Sequence, residues 1–254
     1  MTRWRGIVVP AALLLLAEVA FRVAVGSSDS LAPPSRVLAG LIGAIADLSL
    51  IAGTLRTLAT MLAGLAIGAL GGLAAGIALG FSDTLRRASF LTVEMLRPIP
   101  SVALLPLSLL IFGFGYRMEI AVIAFATFWP SLILTQSAVA QIEPRLIEVA
   151  RVLGLGRLQT ALKIVLPAAA PRLMTGFRLA SGLALVVAVT AEIVSNPQGL
   201  GHDLMIAQET LRPERMLAVM LWVGLIGWGK NAALLRLERW LFAHRGEVDT
   251  EVAT

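Results

Sequence analysis

The chain has 254 residues, 57 % of them hydrophobic and only 15 % charged, against about 25 % charged in an average soluble domain; this excludes a soluble enzyme, a soluble binding module and a disordered chain, and leaves a polytopic membrane protein. The absence of cysteine excludes disulfides and thiolate metal sites, and two histidines, His202 and His244, are too few for a histidine-built metal site. The net charge of +5 is that of a membrane protein with basic cytoplasmic loops rather than a nucleic-acid footprint.

Stretches without charge predict the spans in chain order. The first is about Ile7–Val25, behind the basic Arg3 and Arg5. It reads as a retained anchor rather than a cleaved signal peptide, because the apolar run is long, holds Glu18 and Arg22, and lacks a small-residue cleavage site. Glu18 and Arg22 stand at i,i+4 and pair on one helix face. Pro33-Pro34 opens an outer segment carrying a short amphipathic helix up to about Leu50. The second span follows, with 26 charge-free residues over Thr57–Ser82. Its Gly64, Gly68, Gly72, Gly76 and Gly80 recur every four residues and form one small-residue stripe. The stripe serves either a homodimer face, a helix that moves, or packing within the subunit.

The third span is expected over Ile99–Tyr116 and the fourth over Ile120–Ile142. Prolines mark both: Pro98 and Pro100 open the third, Pro106 lies inside it, and Pro130 lies inside the fourth. Each removes an intrahelical hydrogen bond, so these spans are expected to bend, around a pathway or for packing alone. The fifth span is about Leu173–Ile193 and the sixth about Arg215–Leu235. Glu192, near the outer end of the fifth, is a functional candidate because a carboxylate at membrane depth is costly. It serves as a gate or binding-protein contact, or as a structural pair. His202 and His244 are expected to be solvated. Gly224–Asn231 approaches a phosphate-binding loop pattern, but Asn231 stands where a hydroxyl is needed and no strand precedes it; Lys230 is expected to snorkel to the inner surface. The lysines and arginines concentrate in the segments after the second, fourth and sixth spans, with only Arg36, Arg117 and Arg212 clearly outside. That bias puts both termini in the cytoplasm.

The longest inner loop, about Gln141–Arg172, holds five of the 21 basic residues. Pro144 starts a helix, on which Leu146, Val149, Ala150 and Leu153 fall at helical spacing. Gly154 and Gly156 break it, and a second short helix is expected to stop at Leu166-Pro167. Such an amphipathic element lies on headgroups or docks into a partner's groove.

Within this loop Glu148-Val149-Ala150, three residues, Gly154, nine residues and Ile164-Val165-Leu166-Pro167 resemble the EAA motif of ABC importer permeases, E-A-A-x3-G-x9-I-x-L-P. Val149 replaces the first alanine. Arg97-Pro98-Ile99-Pro100, Leu105-Pro106-Leu107, Phe112-Gly113-Phe114-Gly115, Glu143–Glu148, Glu192 with Gly199-Leu200-Gly201, and Leu235–Arg239 look like the nitrate, sulfonate and taurine branch. Asn231 departs from it, standing where an aspartate is frequent.

The resemblance implies an all-α permease of about six transmembrane helices, of the type I importer, MetI-like class. It divides the chain into an anchor (1–26), an outer loop (27–54), a permease core (55–240) with its coupling segment (144–167), and a cytoplasmic tail (241–254). It implies a bacterial inner-membrane complex of a second permease copy (a homodimer), two cytoplasmic ATP-binding subunits and an extracytoplasmic solute-binding protein, embedded in lipid. The chain itself is then no enzyme and binds no cofactor; ATP and magnesium sit on the ATPase. Coupling falls to Glu148, Ala150, Arg151, Gly154, Ile164, Leu166 and Pro167, and the pathway or gate to Pro98, Pro100, Pro130 and Glu192. The expected solute is a small anion such as a sulfonate, taurine, nitrate or bicarbonate; the alternatives are a small heterocycle, such as a thiamine precursor, and an ion-coupled secondary transporter. An intramembrane enzyme lacks its constellation here: Glu192 and Lys230 are isolated.

Overall fold

A computed structural model describes residues 5–25, 32–195 and 197–243. His244 and the rest of the tail, Arg3 and the 26–31 segment lie outside the described residues. Among the described residues the chain is all-α. Helix α1 (Arg5–Ala20) ends in a π turn over Phe21–Val25. Helix α2 (Pro34–Ala46) starts with a proline in its first turn, where the missing N–H costs nothing. The two are tied together by Glu18. It accepts from Arg22 Nε at 2.8 Å, and from the Ser35 N–H at 3.0 Å and Ser35 Oγ at 2.8 Å. The expected pair exists, and the same carboxylate caps α2 at its positive end.

Helix α3 (Ser49–Phe81) is the longest element. Its 33 residues rise about 50 Å, more than a bilayer core of about 30 Å requires. Ser82 then caps α4 (Asp83–Leu96), its side chain accepting from the Leu85 N–H. The third span departs from expectation. Instead of one helix over 99–116 there is a 3₁₀ turn (Ser101–Leu104), then α5 (Leu105–Phe112), then a turn through Gly113 and Gly115 at φ +72° and +112°. Eight residues rise about 12 Å, too little to cross. Helix α4 and the 101–112 segment together are apolar enough for a span but are bent by 83° at the Pro98–Pro100 break. Proline is the cause: it disfavours helix in the residue before it and supplies no N–H. Arg86 and Arg87 accordingly sit on a helix, not in a loop.

Helix α6 (Tyr116–Ala140) runs unbroken through Pro130. Helix α7 (Pro144–Val152) and a short turn α8 (Arg157–Thr160) follow. A π turn (Ala161–Val165) joins α8 to α9 (Leu166–Ser195), and residues 158–194 form one continuous apolar rod. Pro167 therefore does not stop a helix before the fifth span. It sits in the first turn of α9, a position that tolerates proline. Helices α10 (Leu200–Glu209) and α11 (Pro213–Phe242) complete the chain. The Gly224–Asn231 run lies inside α11, its backbone bonded within a helix rather than open as a loop. Among the described residues four helices, α3, α6, α9 with its extension, and α11, are long and apolar enough to span, or five spans with the bent pair, against the six expected.

The core is built on α3, α6 and α9, around Met61, Leu65, Met118, Val122, Ile123, Ala184 and Ala188. The glycine stripe decides its geometry. A methyl group on Gly64, Gly72, Gly76 or Gly80 would come within 2.6, 2.5, 2.6 or 2.6 Å of Ile123, Phe128, Leu132 or Val139. At Gly68 it would overlap Thr127 and the Ala124 carbonyl. All five glycines thus face α6 of the same chain, and the stripe is consumed by packing within the subunit. Backbones close this way where lipid gives no hydrophobic drive between helices. A second cluster joins Val37, Leu41 and Ala44 of α2, Leu50, Leu200, Ala218 and Val219. It seats the amphipathic α2 against α10 and α11.

Candidate functional site

Two regions carry the residues singled out in the sequence. At one end of the molecule α7 begins with Pro144 and ends in a glycine turn. The Leu155 N–H donates to the Ala150 carbonyl at 3.0 Å and the Gly154 N–H to the Arg151 carbonyl at 3.1 Å. Gly154 sits at φ +63°, a left-handed conformation that glycine adopts without Cβ strain. Ala150 is the buried residue of α7, on a helix packed against the 161–165 turn. Its small side chain therefore serves approach to the chain's own second helix. Glu148 and Arg151 are exposed, and Ile164, Leu166 and Pro167 are half-buried where the π turn enters α9. Around them Val149, Val152, Leu153 and Leu158 leave large apolar surfaces open, Val152 at 87 % exposure. Among the described residues nothing covers this face.

At the opposite end Glu192 is 1 % exposed. Its Oε2 accepts from Thr57 Oγ1 at 3.0 Å and from the Gly201 N–H at 2.8 Å, while the Leu200 N–H donates to Thr57 Oγ1 at 3.1 Å. The carboxylate and the threonine thus satisfy the first amides of α10, which would otherwise be orphaned at a helix start. Gly199, at φ +104°, and Gly201 lie so close to Glu192 that a Cβ on either would overlap it. Glu119 on α6, fully buried, is near enough for its charge to act on Glu192. Sequence reasoning passed over Glu119 because it lies one residue before a charge-free run. It passed over Thr57 because 135 residues separate it from Glu192.

The remaining candidates fall elsewhere. Pro98 and Pro100 are exposed at the bend of the third span, and Pro130 lies half-buried on α6 facing it. His202 stands on α10, half-buried, rather than in a solvated loop. Lys230 does not snorkel: its Nζ donates to Ser181 Oγ at 2.7 Å, from α11 to α9. Nearby, Arg178 of α9 pairs with Glu238 of α11 at 3.2 Å. At the turn before α3, the Ser49 N–H donates to Asp47 at 2.9 Å. Hydrogen bonding by Ser49 holds the Asp47 carboxyl below the usual aspartate range, with Arg215 adding in the same direction. Among the described residues no three His, Asp or Glu side chains cluster as a metal site would require.

Comparison with known proteins places this arrangement. Residues 67–244 match the family described as "Binding-protein-dependent transport system inner membrane component". A putative ABC transporter permease protein of Methanocaldococcus jannaschii is 34 % identical over 198 residues, covering 78 % of this chain and 74 % of that one. The taurine transport system permease protein of Escherichia coli is 31 % identical over 223 residues, covering 86 % and 81 %. Further relatives are named as permeases for aliphatic sulfonates, nitrate and bicarbonate. Among solved structures, an inward-facing form of the MetNI methionine ABC transporter aligns with a TM-score of 0.68 at 22 % identity, covering 75 % of this chain and 94 % of that one; at that identity the likeness speaks for the fold. The chain belongs to the binding-protein-dependent transport system inner membrane components: it is a multi-pass membrane protein and the permease subunit of an ABC importer.

Proposed function

We propose that this permease works as one of two identical copies, with two ATP-binding subunits on its α7 side and a solute-binding protein on its α10 side, and that it imports a small anion of the sulfonate, taurine, nitrate or bicarbonate type. The observation that carries the coupling reading is the open apolar face of α7, with Val149, Val152 and Leu153 uncovered around Glu148 and Arg151. Such a face on a rigid helix–turn–helix suits a groove on a soluble partner. Gly154 fixes the turn, and Ala150 with Ile164, Leu166 and Pro167 joins α7 to the rod of α9. ATP binding at the partner, which holds nucleotide and magnesium, would thus move α9 directly.

In this reading the chain has six spans counting α1 and the bent third, with both termini cytoplasmic. The anchor is 1–26, the outer loop 27–54, the core 55–240 and the tail 241–254. Pro98, Pro100 and Pro130 lie along the pathway, and Glu192 locks the outer end. The anion assignment is supported by the names of the relatives.

Gly154→Asp tests the coupling. It strains the left-handed turn and adds charge to the docking face. Permease abundance and assembly with the ATPase should stay normal, while uptake falls by about tenfold or more. Normal uptake overturns the coupling role, and uptake that survives removal of the ATPase overturns the ATP-driven reading. Ligand binding measured on the partner solute-binding protein would fix the solute.

A further inference from the structure

Helix α6 has a second face, opposite the one that meets the glycines, and it is open. Two cavities lie along it. One, of about 370 Å³, is lined by Arg97, Ser101, Trp129, Pro130 and Ile133 among others. The next, of about 260 Å³ toward the α7 end, is lined by Arg86, Ser89, Glu94, Arg97, Gln136 and Ser137 among others. Arg97 and Ile133 belong to both, so the two form one groove with Arg97 at its waist. A larger cavity of about 650 Å³, beside α3 and α9, has no charged residue in its lining.

Two donor-bearing side chains, Trp129 and Arg97, line the first cavity. The Trp129 indole nitrogen is buried and has no hydrogen-bond partner. Its ring makes edge-to-face contacts with Phe125 and Phe128 at 5.7 and 5.0 Å. A buried donor left this way costs about 1–3 kcal/mol and calls for an acceptor. Among the described residues Arg97 pairs with Glu94 alone, at 3.8 Å, with both side chains half exposed. That distance is beyond a hydrogen bond, and the guanidinium keeps its five N–H groups for a planar oxyanion. The bend at Pro98–Pro100 carries this arginine from the end of α4 to the cavity beside Trp129.

We propose that this groove binds a small oxyanion between the Arg97 guanidinium and the Trp129 indole N–H, with Ser101 beside them. Arg86 lines the α7 end of the groove but is paired with Asp83, so Arg97 is the cation that would draw an anion into the space between the apolar walls. The proposal rests on the anion reading above for the identity of the oxyanion: a nitrate, a bicarbonate or the headgroup of a small sulfonate.

The chain has no cysteine, so Ser101→Cys and Ser137→Cys each place one thiol in the groove. The permease–ATPase–binding-protein complex is reconstituted in phosphatidylcholine vesicles, with and without phosphatidylglycerol. It is labelled with an anionic, sulfonate-bearing methanethiosulfonate and with its cationic trimethylammonium counterpart. With each rate referred to that of the same reagent with a free thiol, the anionic reagent should react roughly tenfold faster, and nitrate or ethanesulfonate should slow it. Arg97→Gln should abolish the preference and Arg97→Lys retain most of it, while Trp129→Phe should weaken protection by nitrate. ATPase stimulation by the binding protein reports that each variant is assembled. Equal rates for the two reagents, or a preference that survives Arg97→Gln, would overturn the site. Protection by phosphatidylglycerol but not by nitrate or ethanesulfonate would assign it to lipid headgroups and overturn it likewise. Uptake in the same vesicles separates the two readings: import of a cation or neutral solute defeats the anion assignment, while the labelling result stands on its own.

Discussion

The two faces of α6 are built on opposite principles. Toward α3, every fourth residue of the partner helix is glycine, and no added carbon fits at any of five successive turns. Toward the bend of the third span, the same helix presents Trp129, Ile133, Gln136 and Ser137 to open cavities. One side is dry backbone-on-backbone contact; the other keeps a cation and unpaired donors. The contrast shows how one helix can be a rigid wall on one side and border open space on the other. The zipper fixes α6 against α3, while the broken span opposite is anchored to the core through Leu105, with Val102 and Leu109 packed beside it.

The largest expected effect tests the closed face. Gly72→Ala pushes a methyl group to 2.5 Å from the Phe128 carbonyl and 2.7 Å from Ser131 Cβ. It should destabilise the subunit by about 3 kcal/mol, the upper part of the usual overpacking range. Thermal unfolding in detergent checks this, and an unchanged midpoint would mean that α3 and α6 can separate at little cost. A smaller loss is expected at the Glu192–Thr57 clamp. Thr57→Val removes the donor to Glu192 and the acceptor for the Leu200 N–H, a loss of about 1–3 kcal/mol. Amide exchange over residues 199–203 should rise with it; unchanged exchange would show that α10 holds its place by apolar packing alone. The smallest effect belongs to the open face. Gln136→Ala should shift stability by no more than about 0.5 kcal/mol, and a shift as large as that of Gly72→Ala would erase the distinction between the two faces.

Much of this was legible in the chain. The spans α3, α6, α9 and α11 follow from charge-free runs, because a bilayer admits few charges and a helix satisfies its own backbone. The turn at Gly154 was legible too, since a helix end and its left-handed residue are neighbours in sequence. The bent third span was half legible: Pro98 and Pro100 announced a distortion, but not that only eight residues would remain helical beyond it. Pro167 misled, because proline ends one helix or begins another, and the local residues do not decide which.

The sequence alone determined the solvent of this protein, the places of the long apolar helices α3, α6, α9 and α11, and the helix–turn–helix motif by which it resembles its family. Each of these is written in residues at most a few turns apart. Tertiary structure alone decided what the glycine stripe touches, since a small-residue face suits a second copy as well as α6. It alone gave Glu192 its partner Thr57, and it alone brought Arg97 beside Trp129. Those pairs lie far apart in the chain, and no local periodicity encodes which distant side chain will fill, or leave empty, the space beside them.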